Sequence, residues 1–274
     1  MNKFLLANKN VKVHLSGREL ETRNTKLNVH NWLIICAYTA AIGFTEYVLN
    51  YFSLPLGLVL YFTIFISLIL VSTLERNQAQ SDLWLSLGLV PLLRIISTTI
   101  STMQFATIIW YILIGFPMFI AIYIMTRHLK YSFNSVGLNN QQFSWQIFIA
   151  ITGVGLGALD YLILKPKPLV EGSLIKLVLS GLVLLIFSGF MEELIFRGVM
   201  QRAASVLGKL GWIIIVLIYS LLQIGHGSPL HVGFTFAVAL FFGFVVFKTK
   251  SILGVCFAHG LLNVMLFLVM AKIV

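Results

Sequence analysis

Long apolar runs separated by short polar breaks set the pattern of this chain from about residue 32 onward. A helix rises about 1.5 Å per residue, so about 20 apolar residues cross a hydrocarbon core about 30 Å thick. On that rule the runs predict spans at 32–52, 55–74, 83–96, 103–126, 145–164, 174–196, 211–226, 231–247 and 252–270. The predicted fold class is therefore all-α: a polytopic membrane helix bundle of eight or nine transmembrane helices. The count stays open at two places. Run 83–96 is short and holds Pro91 and Arg94, and Gly227-Ser228-Pro229 interrupts the chain just after His226.

Composition agrees with that pattern. Of 274 residues, 59% are hydrophobic and 10% charged, against roughly 25% charged in a soluble domain. The net charge of +10 raises nucleic acid as a partner, but the basic residues are scattered between apolar runs, so nucleic acid is set aside in favour of the lipid bilayer. With the N-terminus inside, Lys and Arg concentrate on one side: the tail residues, Arg76, Arg127, Lys130, Arg202, Lys209, Lys248 and Lys250. Only Lys165, Lys167, Lys176 and Lys272 fall on the other side. Lys and Arg mark cytoplasmic loops, so the N-terminus is expected in the cytoplasm. Residues 1–30 are polar and basic and lack the apolar core of a secretory signal; they are expected to form a cytoplasmic basic tail. Residues 31–144 are read as N-terminal transmembrane helices and 145–274 as a core carrying the chemistry. Cys36 and Cys256 lie in apolar runs without a CxxC spacing and are expected to be reduced, buried and small-hydrophobe-like.

The small residues Gly153, Gly155, Gly157 and Ala158 satisfy a GxGxxA pattern. A dinucleotide site would also need a preceding strand and an acidic residue further on, and neither is present. Close helix–helix contact in lipid explains Gly153 and Gly157 better.

Charges inside spans are costly in lipid and hence informative. Glu46 and Arg94 are expected to be structural charges. Asp160, near a helix end, is expected to snorkel towards Lys165 and Lys167 without chemistry. Glu192 and Glu193 are different, because two adjacent carboxylates follow an apolar run. Glu193 and Arg197 are four apart in the order that favours an ion pair on a helix. Glu192 points about 100° away and is left free to take or give a proton. Structural anchoring at a helix end is the other reading of the pair.

Fifteen residues separate Glu193 from Gly208, and fifteen separate Gly211 from His226. An antiparallel hairpin turning at those glycines brings His226 level with the carboxylates. In the last run His259 and Asn263 share a helical face, where imidazole and amide can donate to one developing oxyanion; an interhelical hydrogen-bonded pair is the alternative. Their depth fits that of His226 only if the Gly227-Ser228-Pro229 break lies within the bilayer beside a cavity. HExxH, GxSxG and a paired-aspartate site are absent; a serine nucleophile would have to be an unmarked residue such as Ser188 or Ser220.

Glu192-Glu193-x-x-x-Arg197, His226 and His259-x-x-x-Asn263 together resemble the CPBP family of intramembrane proteases. This family includes the type II CAAX prenyl endopeptidases and bacteriocin-processing and immunity relatives. The resemblance covers about the last hundred residues. It departs where the family has an aromatic residue four before the second-motif histidine; here Leu222 stands there. The resemblance implies an intramembrane endopeptidase acting on a membrane-associated peptide or protein. Glu192 and His226 would activate water, His259 and Asn263 would hold the oxyanion, and Glu193 with Arg197 would form the supporting pair. A Glu/His/His set can also ligate zinc, but no cofactor is expected to be required. The alternative the resemblance allows is a non-proteolytic scaffold or regulator working through a membrane-protein partner, as in bacteriocin self-immunity. A proton-coupled transporter is a third use of buried carboxylates, disfavoured by the lack of an internal repeat. A bacterial plasma membrane is the expected location.

Overall fold

The computed structural model describes residues 29–273; all but the end of the basic tail expected over residues 1–30 lies outside the described residues. Nine helices are found among them: α1 Val29–Tyr51, α2 Leu54–Leu74, α3 Gln78–Ser101, α4 Thr107–His128, α5 Phe143–Leu164, α6 Leu174–Leu207, α7 Gly211–His226, α8 Pro229–Thr249 and α9 Leu253–Ile273. Eight are long and apolar enough to cross a membrane, and α7 is the shorter ninth. The protein is thus the all-α polytopic bundle that the apolar runs predict. Side chains such as Phe116 and Ile151 stand more than 60% exposed, as a lipid-facing surface requires.

The helices begin where side-chain caps allow. Ser53 and Asn77 accept hydrogen bonds from the first-turn amides of α2 and α3. Ser228 accepts from His231 N at 3.2 Å to open α8, with Pro229 in its first turn. These caps satisfy amides a helix start leaves unpaired. Two boundaries differ from the apolar runs. The third helix extends to Gln78–Ser101 because Asn77 caps a polar first turn. Its interior tightens at Gly88, whose amide bonds to Leu85, ahead of Pro91, which has no amide to give the carbonyl of Leu87. The sixth runs on for 34 residues to Leu207, since the residues after Arg197 are buried among other helices.

Glycine contacts clasp α9 between α5 and α6. A β-carbon at Gly153 would strike the Ala258 carbonyl and one at Gly157 the Leu262 carbonyl. Gly189 of α6 lies equally close to Gly260 and Cys256 of α9. The glycines of the GxGxxA stretch therefore serve helix packing. Gly155, between the first two, faces open space. Gly157→Leu is expected to lower stability by about 1–3 kcal/mol through overpacking, whereas Gly155→Leu stays within about 0.5 kcal/mol. Thermal unfolding in detergent measures this, and equal losses would refute the clasp.

Glu46 and Arg94 form an ion pair between α1 and α3, with Arg94 Nη2 at 2.7 Å from Glu46 Oε2. Tyr61 and Asn50 also donate to Glu46, so its charge is fully engaged in packing. Cys256 is buried as expected; Cys36 is exposed on α1, and neither is in a disulfide.

Candidate active site

Two helices bring the site together because their backbones touch at Gly189 and Gly260. On α6, Glu192 and Glu193 sit on one short α-helical turn between two π-helical stretches, Leu185–Phe190 and Leu194–Met200. On α9 a third, Met265–Met270, begins two residues after Asn263. π-Helical turns widen the helix and re-aim side chains, and they recur at functional sites.

Glu193 is fully buried. Its Oε1 accepts from Arg197 Nη1 at 3.1 Å and pairs with His259 Nδ1 at 2.9 Å. A carboxylate has no proton to give, so Nδ1–H donates and Nε2 is left facing the cavity. There Nε2 lies 3.9 Å from Glu192 Oε2 and 3.5 Å from the Tyr219 hydroxyl. The Arg197 guanidinium lies 4.6 Å over the Tyr219 ring, so the predicted Glu193–Arg197 pair is locked on two sides.

Glu192 is in a different state. Its side chain remains 23% exposed, which leaves it reachable while Glu193 is sealed. Tyr219 donates to Oε2 at 3.1 Å and Ser188 to Oε1 at 3.3 Å. Asn263 Nδ2 donates to the same Ser188 hydroxyl at 2.8 Å. Ser188 thus links Glu192 to Asn263.

His226 follows α7's regular part in a 3₁₀ turn, Ile224–His226, closed by Gly227 in the left-handed region at φ 70°. The hairpin count put His226 at the glutamates' level. In the structure the hydroxyl that bonds Glu192 belongs to Tyr219, seven residues earlier, while His226 lines the same cavity from a more exposed position. The count assumed two regular α-helices, and π turns on α6 and the end of α7's helical hydrogen bonding break that assumption. The Gly227-Ser228-Pro229 break does lie beside the cavity, and so His226 and His259 share it.

Asp160 departs from its expected role. It is 3% exposed, and its Oδ1 is 2.9 Å from His231 Nδ1. Its carboxylate is turned inward to the same cavity rather than snorkelling towards Lys165 and Lys167. His231 meets the His226 ring edge-on, with centroids 4.8 Å apart. The Asp160–His231 pair therefore packs against the His226 ring.

Glu192, Glu193, Arg197, His226, His259 and Asn263 all line this one cavity of about 160 Å³. A water needs only about 10–15 Å³ of such space, so water and a substrate group fit together. A second cavity, also about 160 Å³, shares Glu192, Tyr219 and His226 but has apolar walls that include Phe187, Met191 and Leu222. Leu222, where the motif pattern has an aromatic residue, thus shapes space beside Glu192. Among the described residues no three His, Cys, Asp or Glu side chains are grouped to hold one metal ion. The ring nitrogen of His259 nearest a carboxylate is already taken by Glu193.

Sequence reading missed Tyr219 and the Asp160–His231 pair, and it named Ser188 only as an unmarked serine, without its link to Glu192 and Asn263. Ser188 is four before Glu192, a spacing that puts both on one helical face; Tyr219 is seven before His226, but α7's regular helix ends at Leu221.

No curated protein and no solved structure matches the chain. Residues 174–265 match the family described as Rce1-like, type II CAAX prenyl endopeptidase. That segment contains every motif residue above but neither Asp160 nor helices α1 to α5. The family match falls on the same segment that carries the motif resemblance, about a third of the chain.

Proposed function

We propose that the protein is an intramembrane endopeptidase that hydrolyses a peptide bond of a membrane-associated peptide or protein. The observation that carries this reading is the convergence of Glu192, His226, His259 and Asn263 on one cavity. A water there gives its proton to Glu192, with His226 orienting it, and the oxygen adds to the scissile carbonyl carbon. The resulting oxyanion accepts hydrogen bonds from Asn263 Nδ2 and from His259 Nε2–H. For that donation His259 carries both ring protons, and Glu193 supplies the counter-charge at Nδ1. When the C–N bond breaks, Glu192 returns its proton to the leaving amine. Arg197 and Tyr219 act as positioning residues, through Glu193 and Glu192 respectively. No step requires a cofactor. A cytoplasmic N-terminus is proposed from the distribution of basic residues, and a bacterial plasma membrane from the short loops and the basic tail.

One observation favours a second route: Ser188 donates to Glu192 and accepts from Asn263. That is how a serine nucleophile sits beside its base. Water is preferred because Glu192 is itself open to the cavity and the Ser188 contact is the longer of its two.

The test is reconstitution of the purified protein in liposomes with a pool of membrane-anchored peptides, reading new termini by mass spectrometry. Cleavage within the anchored segment or next to it is expected. Folded protein that cleaves none of them would overturn the reading in favour of the scaffold alternative.

A further inference from the structure

A cavity of about 410 Å³ shares Arg197 with the candidate active site and extends to the turn after α6 and the end of α8. Four cations line it, namely Arg197, Arg202, Lys209 and Lys250, and no acidic residue does. Arg197 is paired with Glu193 behind the wall, but nothing in the lining neutralises the other three, and like charges gathered on one cavity repel. Two of its polar side chains, Arg197 and Gln201, are more than nine-tenths buried, so it has a built floor as well as a charged surface.

The cations are partly fixed in place. Arg202 donates to the Ser135 carbonyl at 3.1 Å and lies 4.7 Å over the Tyr131 ring. The Lys250 ammonium lies 4.7 Å over the Phe247 ring. Held this way they need little ordering when a ligand arrives. The C-terminal ends of α6 and α8 also meet here. Each contributes a partial negative charge of about half an electron, which the charges of Arg202, Lys209 and Lys250 outweigh. Trp212 and Phe247, stacked with centroids 6.1 Å apart, give the cavity an apolar wall.

We infer that this cavity binds a phosphate-bearing anion, supplied either as the headgroup of an anionic phospholipid or as free phosphate. Clustered Arg and Lys side chains at a membrane protein's surface recognise such headgroups by charge and charge-assisted hydrogen bonds. The aromatic wall suits the glycerol portion of a lipid. The site is separate from the hydrolytic reading, because binding is measured without any cleavage.

The test uses the full chain, purified in a neutral detergent. Native mass spectrometry reads retention of phosphatidylglycerol against phosphatidylcholine, and thermal unfolding reads the response to inorganic phosphate. The variant is R202Q/K209Q/K250Q; the control, K165Q/K167Q/K176Q, removes the same charge from outside the cavity. Wild type and control are expected to retain phosphatidylglycerol preferentially, and the cavity variant to lose about tenfold or more of that preference, since each basic side chain contributes separately. Stabilisation by phosphate in wild type but not in the cavity variant supports the site with free phosphate as a ligand. Lipid retention without a phosphate response supports it with the headgroup as the ligand. Equal lipid retention by both triple variants, with no phosphate response specific to the cavity, overturns the inference. All three replaced side chains are exposed, and unfolding curves establish that the variants fold.

Discussion

Replacing Glu192 by glutamine is expected to reduce peptide hydrolysis by about 10²–10⁴-fold, the range a positioned general base contributes. The substitution keeps size and shape. Glutamine keeps one of the two acceptor oxygens, so it can still accept from Tyr219 or from Ser188, but it cannot take a proton from water. Thermal stability should hardly change, because the Glu192 side chain is part-exposed and carries no ion pair with Arg197. The signature is a loss of rate in folded protein, measured as the single-turnover cleavage rate in liposomes beside an unfolding curve. If the folded variant cleaves within a few-fold of wild type, Glu192 is not the base.

The second large effect falls on stability. Arg197→Ala leaves Glu193 buried with His259 as its one remaining partner, since Glu193 Oε2 makes no hydrogen bond among the described residues. Breaking a buried pair by removing one partner costs about 3–5 kcal/mol, mostly because a charge is stranded. Truncation also removes the guanidinium stacked on Tyr219, which loosens the hydroxyl that holds Glu192. Replacing the pair together, Glu193→Gln with Arg197→Met, removes both charges and should recover most of that stability. Hydrolysis should stay low in the double variant, because His259 loses its counter-charge. Unfolding in detergent compares the two: an Arg197→Ala protein as stable as wild type would contradict the buried-pair account.

The sequence exposes those parts of the site that cost energy to place in lipid. Adjacent glutamates after an apolar run and a histidine four from an asparagine stand out because lipid penalises them, and all of them reach one cavity. Tyr219 and Ser188 carry no such mark; a hydroxyl within an apolar run is ordinary, and only the packing of α6 against α7 and α9 gives them partners. Asp160 misled for a physical reason. Near a helix end with two lysines following, a carboxylate normally turns outward, but here His231, seventy-one residues on, meets it at 2.9 Å. Counting residues from the turn placed His226 only coarsely, because depth depends on helix type and α6 changes type either side of the glutamates. Helix existence was legible from apolar run length, whereas boundaries were set by caps at Asn77 and Ser228 and by burial beyond Arg197.

The route of attack separates the central claim from its nearest rival, and the cleavage reaction in liposomes can be read on the protein itself. If Glu192 directs water at the peptide carbonyl, the intact mass of the enzyme stays unchanged throughout turnover. An acyl adduct that accumulates during turnover and maps to Ser188 would contradict the account, showing that the hydroxyl beside Glu192, and not water, makes the first bond.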